Sequence, residues 1–189
     1  WFDRKQELAS AAILGVSIAT KFFPIVLLLP IAIIYIRRQE VKNGIRYIAT
    51  ALGTFVAINI PFALTTPTGW WRFYKLNLER GADWGSIWLA LQQLGVNFTN
   101  LNYLSILLLL ISMTSIAIVL FELKYTPTLA SVAFLVLASV MVASKVYSPQ
   151  YVLWLTPLVI LALKDNRDLS WFWGWQIAEL IYHVAIWQH

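Results

Sequence analysis

The chain has no cysteine, only two histidines and two methionines, and nine acidic residues in 189. Without cysteine there is no disulfide framework, no thiol nucleophile and no thiolate metal site. HExxH and CxxC spacings and aspartate-rich clusters are also missing, so no metal is expected. No pattern in the chain implies a cofactor. Charge is scarce too, with Asp, Glu, Lys and Arg together at 12%. What fills the chain instead is apolar: 60% of residues are hydrophobic and 15% aromatic.

A soluble domain of this length could not hide so much apolar surface, so lipid is the expected solvent. Backbone polar groups in lipid must be paired internally, which leaves helices or a closed barrel. The apolar runs are continuous rather than alternating, and that selects helices. Seven helical segments are expected, at about 8–20, 23–36, 47–62, 101–121, 127–144, 150–163 and 170–187. Several are shorter than the roughly 20 residues that cross a bilayer. The expected fold class is all-α: a polytopic transmembrane helical bundle of about six or seven membrane segments, some short or broken. Residues 1–189 would form a single transmembrane domain in a multi-pass protein of the plasma membrane. Because it opens on Trp1, the chain is expected to be the C-terminal part of a longer polytopic protein.

The net charge of +5 comes from basic residues scattered between the spans. That distribution orients a chain in a membrane; it does not make a nucleic-acid-binding face, so no nucleic acid partner is expected. The first two segments are separated only by Lys21-Phe22-Phe23-Pro24, which fits either a tight hairpin restarted by Pro24 or one kinked helix. The hairpin places Arg4, Lys5, Arg37, Arg38, Lys42, Arg46, Lys124, Lys164 and Arg167 on one side, nine of the fourteen Lys and Arg. The positive-inside rule therefore favours it. Lys21, Arg72, Lys75, Arg80 and Lys145 then face outward, as does the interhelical segment 63–100.

Within that external segment, Trp70, Trp71, Phe73 and Tyr74 interleave with Arg72 and Lys75, which suits a helix lying at the lipid headgroups. Beyond it, Arg80-Gly81-Ala82-Asp83-Trp84-Gly85 reads as a shaped loop, followed by a helix capped by Ser86. Arg80 and Asp83 could equally form a plain surface ion pair. In the stretch KVYSPQY, Lys145 ends one helix and Pro149 opens the next. The cation, the Tyr147 and Ser148 hydroxyls and the helix start suit an anion at headgroup level. Lys21 occupies a parallel setting. The plain alternative is that both lysines snorkel to water or to ordinary membrane lipid phosphates. In the last segment Gln176, Glu179 and His183 form one polar stripe, either a proton relay or hydrogen bonds to neighbouring helices. Trp171, Trp173 and Trp175 read as an interfacial belt. Asn97-Phe98-Thr99 fits an N-glycosylation acceptor, a motif of low specificity.

Together GVSIATKFFPIVLLLP (15–30), NLERGADWGSIW (77–88) and KVYSPQYVLWLTPL (145–158) resemble glycosyltransferases of the GT-C superfamily. The likeness is to the family 87 polyprenyl-phosphate-mannose-dependent mannosyltransferases. It implies an enzyme that transfers a mannosyl or other hexosyl group, with inversion, from a polyprenyl-phosphate sugar donor to a lipid or glycan acceptor on the external, periplasmic face. It also implies that Lys21, Lys145, Tyr147, Gln150 and Tyr151 help to form the donor-phosphate or sugar pocket, joined by Arg80. Asp83, Ser86 and Trp88 would shape its roof. The family's catalytic carboxylate lies in the first external loop, and no position here matches it. Two other readings share these features: an O-antigen ligase or polymerase acting on lipid-linked glycans, and a transporter of an anionic substrate.

Overall fold

Apolar runs rich in Leu, Ile and Ala become helices, and the breaks between them fall at Pro, Gly and polar clusters. The computed structural model describes residues 6–163, 165 and 168–187. Among these residues it contains nine α-helices, one 3-10 turn and no strand. The all-helical class expected from the sequence is borne out. Arg4, Lys5, Lys164 and Arg167, four of the basic residues used to orient the chain, lie outside the described residues. The chain divides into two compact units, Trp1–Arg80 with Ala117–Thr126 and Gly81–Ile116 with Pro127–His189.

In the first unit, α1 (Glu7–Thr20) is followed by a 3-10 turn (Phe23–Leu27), α2 (Leu28–Arg37), α3 (Val41–Thr65) and α4 (Pro67–Glu79). Helix α1 stops where Lys21 turns extended, at φ −144° and ψ 120°. Pro24 then opens a 3-10 turn, because it has no N–H to donate and its ring keeps Phe23 out of an α-helical interior. The chain reverses here. Ser10 of α1 and Tyr47 of α3 share a hydrogen bond of 2.9 Å, and Tyr35 of α2 lies 5.9 Å from Tyr47. At the other end Phe22 lies 6.0 Å from Phe55. Thus α1 and α3 run parallel and α2 runs back, which realises the hairpin and excludes one kinked helix. Gly15 lets α1 approach α3 closely, since a β-carbon there would overlap the Ala51 carbonyl and Thr54.

Helix α3 starts at Val41, earlier than the expected residue 47. Lys42, Asn43 and Arg46 read as loop by polarity, yet they form its first turns, and Gly44 packs against Tyr35. Arg37, in the last turn of α2, donates Nη1 to the Leu120 carbonyl and Nη2 to the Leu123 carbonyl at 2.5 Å. Those oxygens end α6 (Leu101–Glu122), where carbonyls have no partner within the helix.

The second unit comprises α5 (Ile87–Gln93), most of α6, α7 (Leu129–Ala143), α8 (Gln150–Ala162) and α9 (Leu169–Trp187). Thr128 caps α7 by accepting from Ser131 N at 3.2 Å. Its core is the contact of α7 with α8, where Val132, Val136 and Met141 are buried with Val152 and Leu155. Two helices, Val41–Thr65 and Leu101–Glu122, are long and apolar enough to cross a bilayer. Only 6% and 11% of their most apolar stretches are buried against the rest of the chain, so their apolar side chains face outward.

Candidate functional site

Two segments far apart in sequence meet in the second unit. Asp83 N donates to the Lys145 carbonyl at 2.8 Å, and Tyr147 N donates to the Trp84 carbonyl at 3.3 Å. Each segment is first shaped locally. Asp83 Oδ1 accepts from Trp84 N at 2.8 Å, and Ser86 Oγ donates to the Asp83 carbonyl at 2.7 Å while accepting from Leu89 N at 3.2 Å. Gly85 lies between them at φ 75°, a conformation that side chains resist. A β-carbon at Gly85 would also overlap the Tyr182 hydroxyl and crowd the Tyr147 carbonyl, so glycine is required on two counts.

The end of α7 is fixed by two donors. The buried Trp88 indole N–H reaches the Ala143 carbonyl at 3.0 Å, and Ser105 Oγ reaches the same oxygen at 2.5 Å. This places Lys145, whose Nζ donates to Asn102 Oδ1 at 2.5 Å. Tyr147 Oη donates to Glu179 Oε1 at 2.5 Å, and the Trp175 indole N–H donates to the same oxygen at 3.1 Å. Among the described residues no hydrogen-bond donor reaches Glu179 Oε2, which is buried; His183 Nδ1 stands 3.9 Å away. That ring nitrogen is 2.5 Å from the Glu179 carbonyl. Burial pushes the Tyr147 phenol above its ordinary range, and the Glu179 carboxylate pushes it further. Tyr147 is therefore a neutral donor at physiological pH. Beside this network lies a cavity of about 480 Å³ with mostly apolar walls, lined by Gly85, Phe134, Tyr147, Trp175, Glu179 and Tyr182 among others.

Of the residues singled out in the sequence, the structure brings Asp83, Ser86, Trp88, Lys145 and Tyr147 into one cluster. Tyr151, in the first turn of α8, packs its ring 5.6 Å from Tyr147, while Gln150 beside it is exposed. Lys21 and Arg80 belong to the first unit, both exposed, at the ends of α1 and α4. The polar stripe of α9 acts as cross-links: Glu179 holds Tyr147, and Gln176 Nε2 donates to Thr156 Oγ1 of α8 at 3.2 Å. Trp175 departs from the belt reading. Trp171 and Trp173 are exposed, but Trp175 turns inward to serve Glu179.

Asn102 and Tyr182 were not legible as site residues, and Gly85 was read only as part of a shaped loop. Asn102 is a lone amide in the first turn of an apolar helix, where polarity usually means a helix end. Among the described residues no group of three or more His, Cys, Asp or Glu could hold a metal ion. Compared with known proteins, the chain matches no family model, no curated protein and no solved structure. The likeness to the family 87 mannosyltransferases rests on the three sequence motifs.

Proposed function

We propose that the chain is part of a multi-pass membrane glycosyltransferase that moves a mannosyl or other hexosyl group from a polyprenyl-phosphate donor to a lipid or glycan acceptor. The observation that supports this reading best is the pairing of residues 83–84 with 145–147, which joins two of the three motifs and fixes the Lys145 backbone between them. Membrane embedding is supported by the two long apolar helices and their outward-facing side chains.

In such a transfer the acceptor oxygen bonds to the anomeric carbon as the bond from that carbon to the phosphate oxygen breaks. The proton of the acceptor hydroxyl leaves to a base, a role given to no residue here. The departing polyprenyl phosphate gains negative charge, and a fixed cation beside it stabilises the transition state more than the ground state. Lys145 is the candidate cation, its ammonium positioned by Asn102. The start of α8, with Tyr151 N already bound to the Ser148 carbonyl at 2.9 Å, adds the positive end of a helix dipole.

The test is sugar transfer from a polyprenyl-phosphate sugar in membranes containing the protein. Lys145→Met keeps much of the side chain's bulk and removes the charge, and should cost roughly 10- to 1,000-fold in rate. Lys145→Arg should retain part of the activity, because the charge stays while its geometry changes. Lys124→Met should transfer at the parental rate. If Lys145→Met is expressed normally and is fully active, Lys145 is no phosphate contact.

A further inference from the structure

The first unit holds a second cavity, of about 370 Å³, where the end of α1 meets α3 and α4. The cluster around Lys145 does not use it. Its walls combine aromatic faces with uncharged polar atoms. Tyr74 forms a corner there: its ring lies 5.0 Å from that of Trp70 at 57°, and 5.8 Å from that of Phe22 at 82°. The Trp70 indole N–H donates to Asn59 Oδ1 at 2.8 Å, and Asn59 Nδ2 donates to the Phe55 carbonyl at 2.9 Å. This fixes an amide in the wall. Thr20 and Thr66 also line the cavity. Their hydroxyls donate back to the Val16 carbonyl at 2.9 Å and the Phe62 carbonyl at 3.1 Å, so each oxygen is left as an acceptor.

Three ligand chemistries can be weighed against these walls. A quaternary ammonium would use the aromatic faces. Yet no described residue lining the cavity is acidic, and its sequence neighbours Lys21, Arg72 and Lys75 are all basic. An acyl chain would use the rings but waste the amide and both hydroxyl oxygens, leaving polar atoms against hydrocarbon. A neutral ring with hydroxyls around its edge and C–H bonds on its face uses both. Its C–H bonds meet the electron-rich aromatic faces, and its hydroxyls donate to Thr20, Thr66 and Asn59. The volume lies within the range of small-molecule sites, roughly 300–1,000 Å³. We infer that this cavity is a binding site for a hexose ring, either a free glycoside or the headgroup of a glycolipid.

Binding needs no turnover, so the site can be tested apart from the transferase reading. The full chain is placed in phosphatidylglycerol nanodiscs, free of glycosidic detergent. Methyl α-mannoside is added in one arm, and a monoglucosyl diacylglycerol is mixed into the nanodisc in another. Binding is read by tryptophan fluorescence and by saturation transfer from the aromatic protons. Saturable binding is expected in at least one arm, and the arm that binds identifies the source of the ring. Tyr74→Leu should weaken it roughly ten-fold, the scale of one aromatic contact. Thr66→Val, nearly isosteric and at an exposed position, should weaken it several-fold without disturbing the fold, and exposed Trp171→Phe should leave it unchanged. Failure of both arms to saturate, binding that ignores both Tyr74→Leu and Thr66→Val, or equal binding of phosphocholine would each overturn the site. None of these outcomes reports on sugar transfer, which is measured separately.

Discussion

At the scale of single residues, Tyr147 joins the elements of the second unit. Its backbone N–H holds Trp84, its hydroxyl holds Glu179, and its ring lies against Tyr151 and Tyr182. Tyr147→Phe keeps the ring and deletes one charge-assisted hydrogen bond, at a cost of about 1.5–3 kcal/mol. The phenol is held above its ordinary range, so the unfolded chain ionises first, near pH 10. The stability that parental Tyr147 adds is thus fully present below that pH and is lost as pH rises beyond it. Thermal unfolding in micelles should show the gap between parent and variant constant through neutral pH and narrowing above about pH 10. A gap that stays constant into strong alkali would mean that the hydroxyl is not buried against Glu179. Ser86 as a helix cap and Pro149 before a helix start were legible because both act through their nearest neighbours. Asn102, Tyr182 and the inward turn of Trp175 were not legible. Each depends on a partner dozens of residues away or on another helix, and local spacing contains no record of that.

At the scale of elements, the apolar runs revealed the helices, and most bounds fell within two residues. The largest departure, the start of α3, shows the limit of reading by polarity. A helix can begin in polar residues when its first turns lie outside the apolar layer, and Gly44 is there for Tyr35 to pack on. The contact that fixes α2 to α6 was equally hidden. Arg37 looked like an orienting charge, yet its guanidinium fork caps the Leu120 and Leu123 carbonyls. Arg37→Met retains the apolar stem and strands two carbonyls, so it should destabilise the chain by about 2–3 kcal/mol. Lys42→Met removes an exposed charge in the first turn of α3 and should change stability by less than about 0.5 kcal/mol. Thermal unfolding of the two variants side by side decides between them. Equal and small losses would reduce Arg37 to a topology marker.

At the scale of the whole molecule, the proposed membrane reading turns on which ends would face the cell exterior. Arg37 reaches the carbonyls that close α6, so Arg38, Lys42 and Lys124 gather with it at one end of the helices. If the chain spans a membrane as proposed, the positive-inside rule expects that end in the cytoplasm. Helix α3 runs away from it, from Val41 to Thr65, and Thr68 follows at the far end. If α6 crosses the bilayer, its two ends lie on opposite faces. Asn102 is in its first turn and holds Lys145, so Ser148 is expected on the same face as that turn. Thr128, which caps the other end of α7, is then expected on the opposite face from Ser148. The chain has no cysteine, so single cysteines report without background. Thr68→Cys and Ser148→Cys should both react with an impermeant thiol reagent added to intact cells. Thr128→Cys should react only after the membrane is opened. Labelling of Thr128→Cys in intact cells, or protection of Ser148→Cys, would reverse the orientation and move the Lys145 cluster to the cytoplasmic face. A polyprenyl-phosphate sugar presented outside the cell could not reach it there.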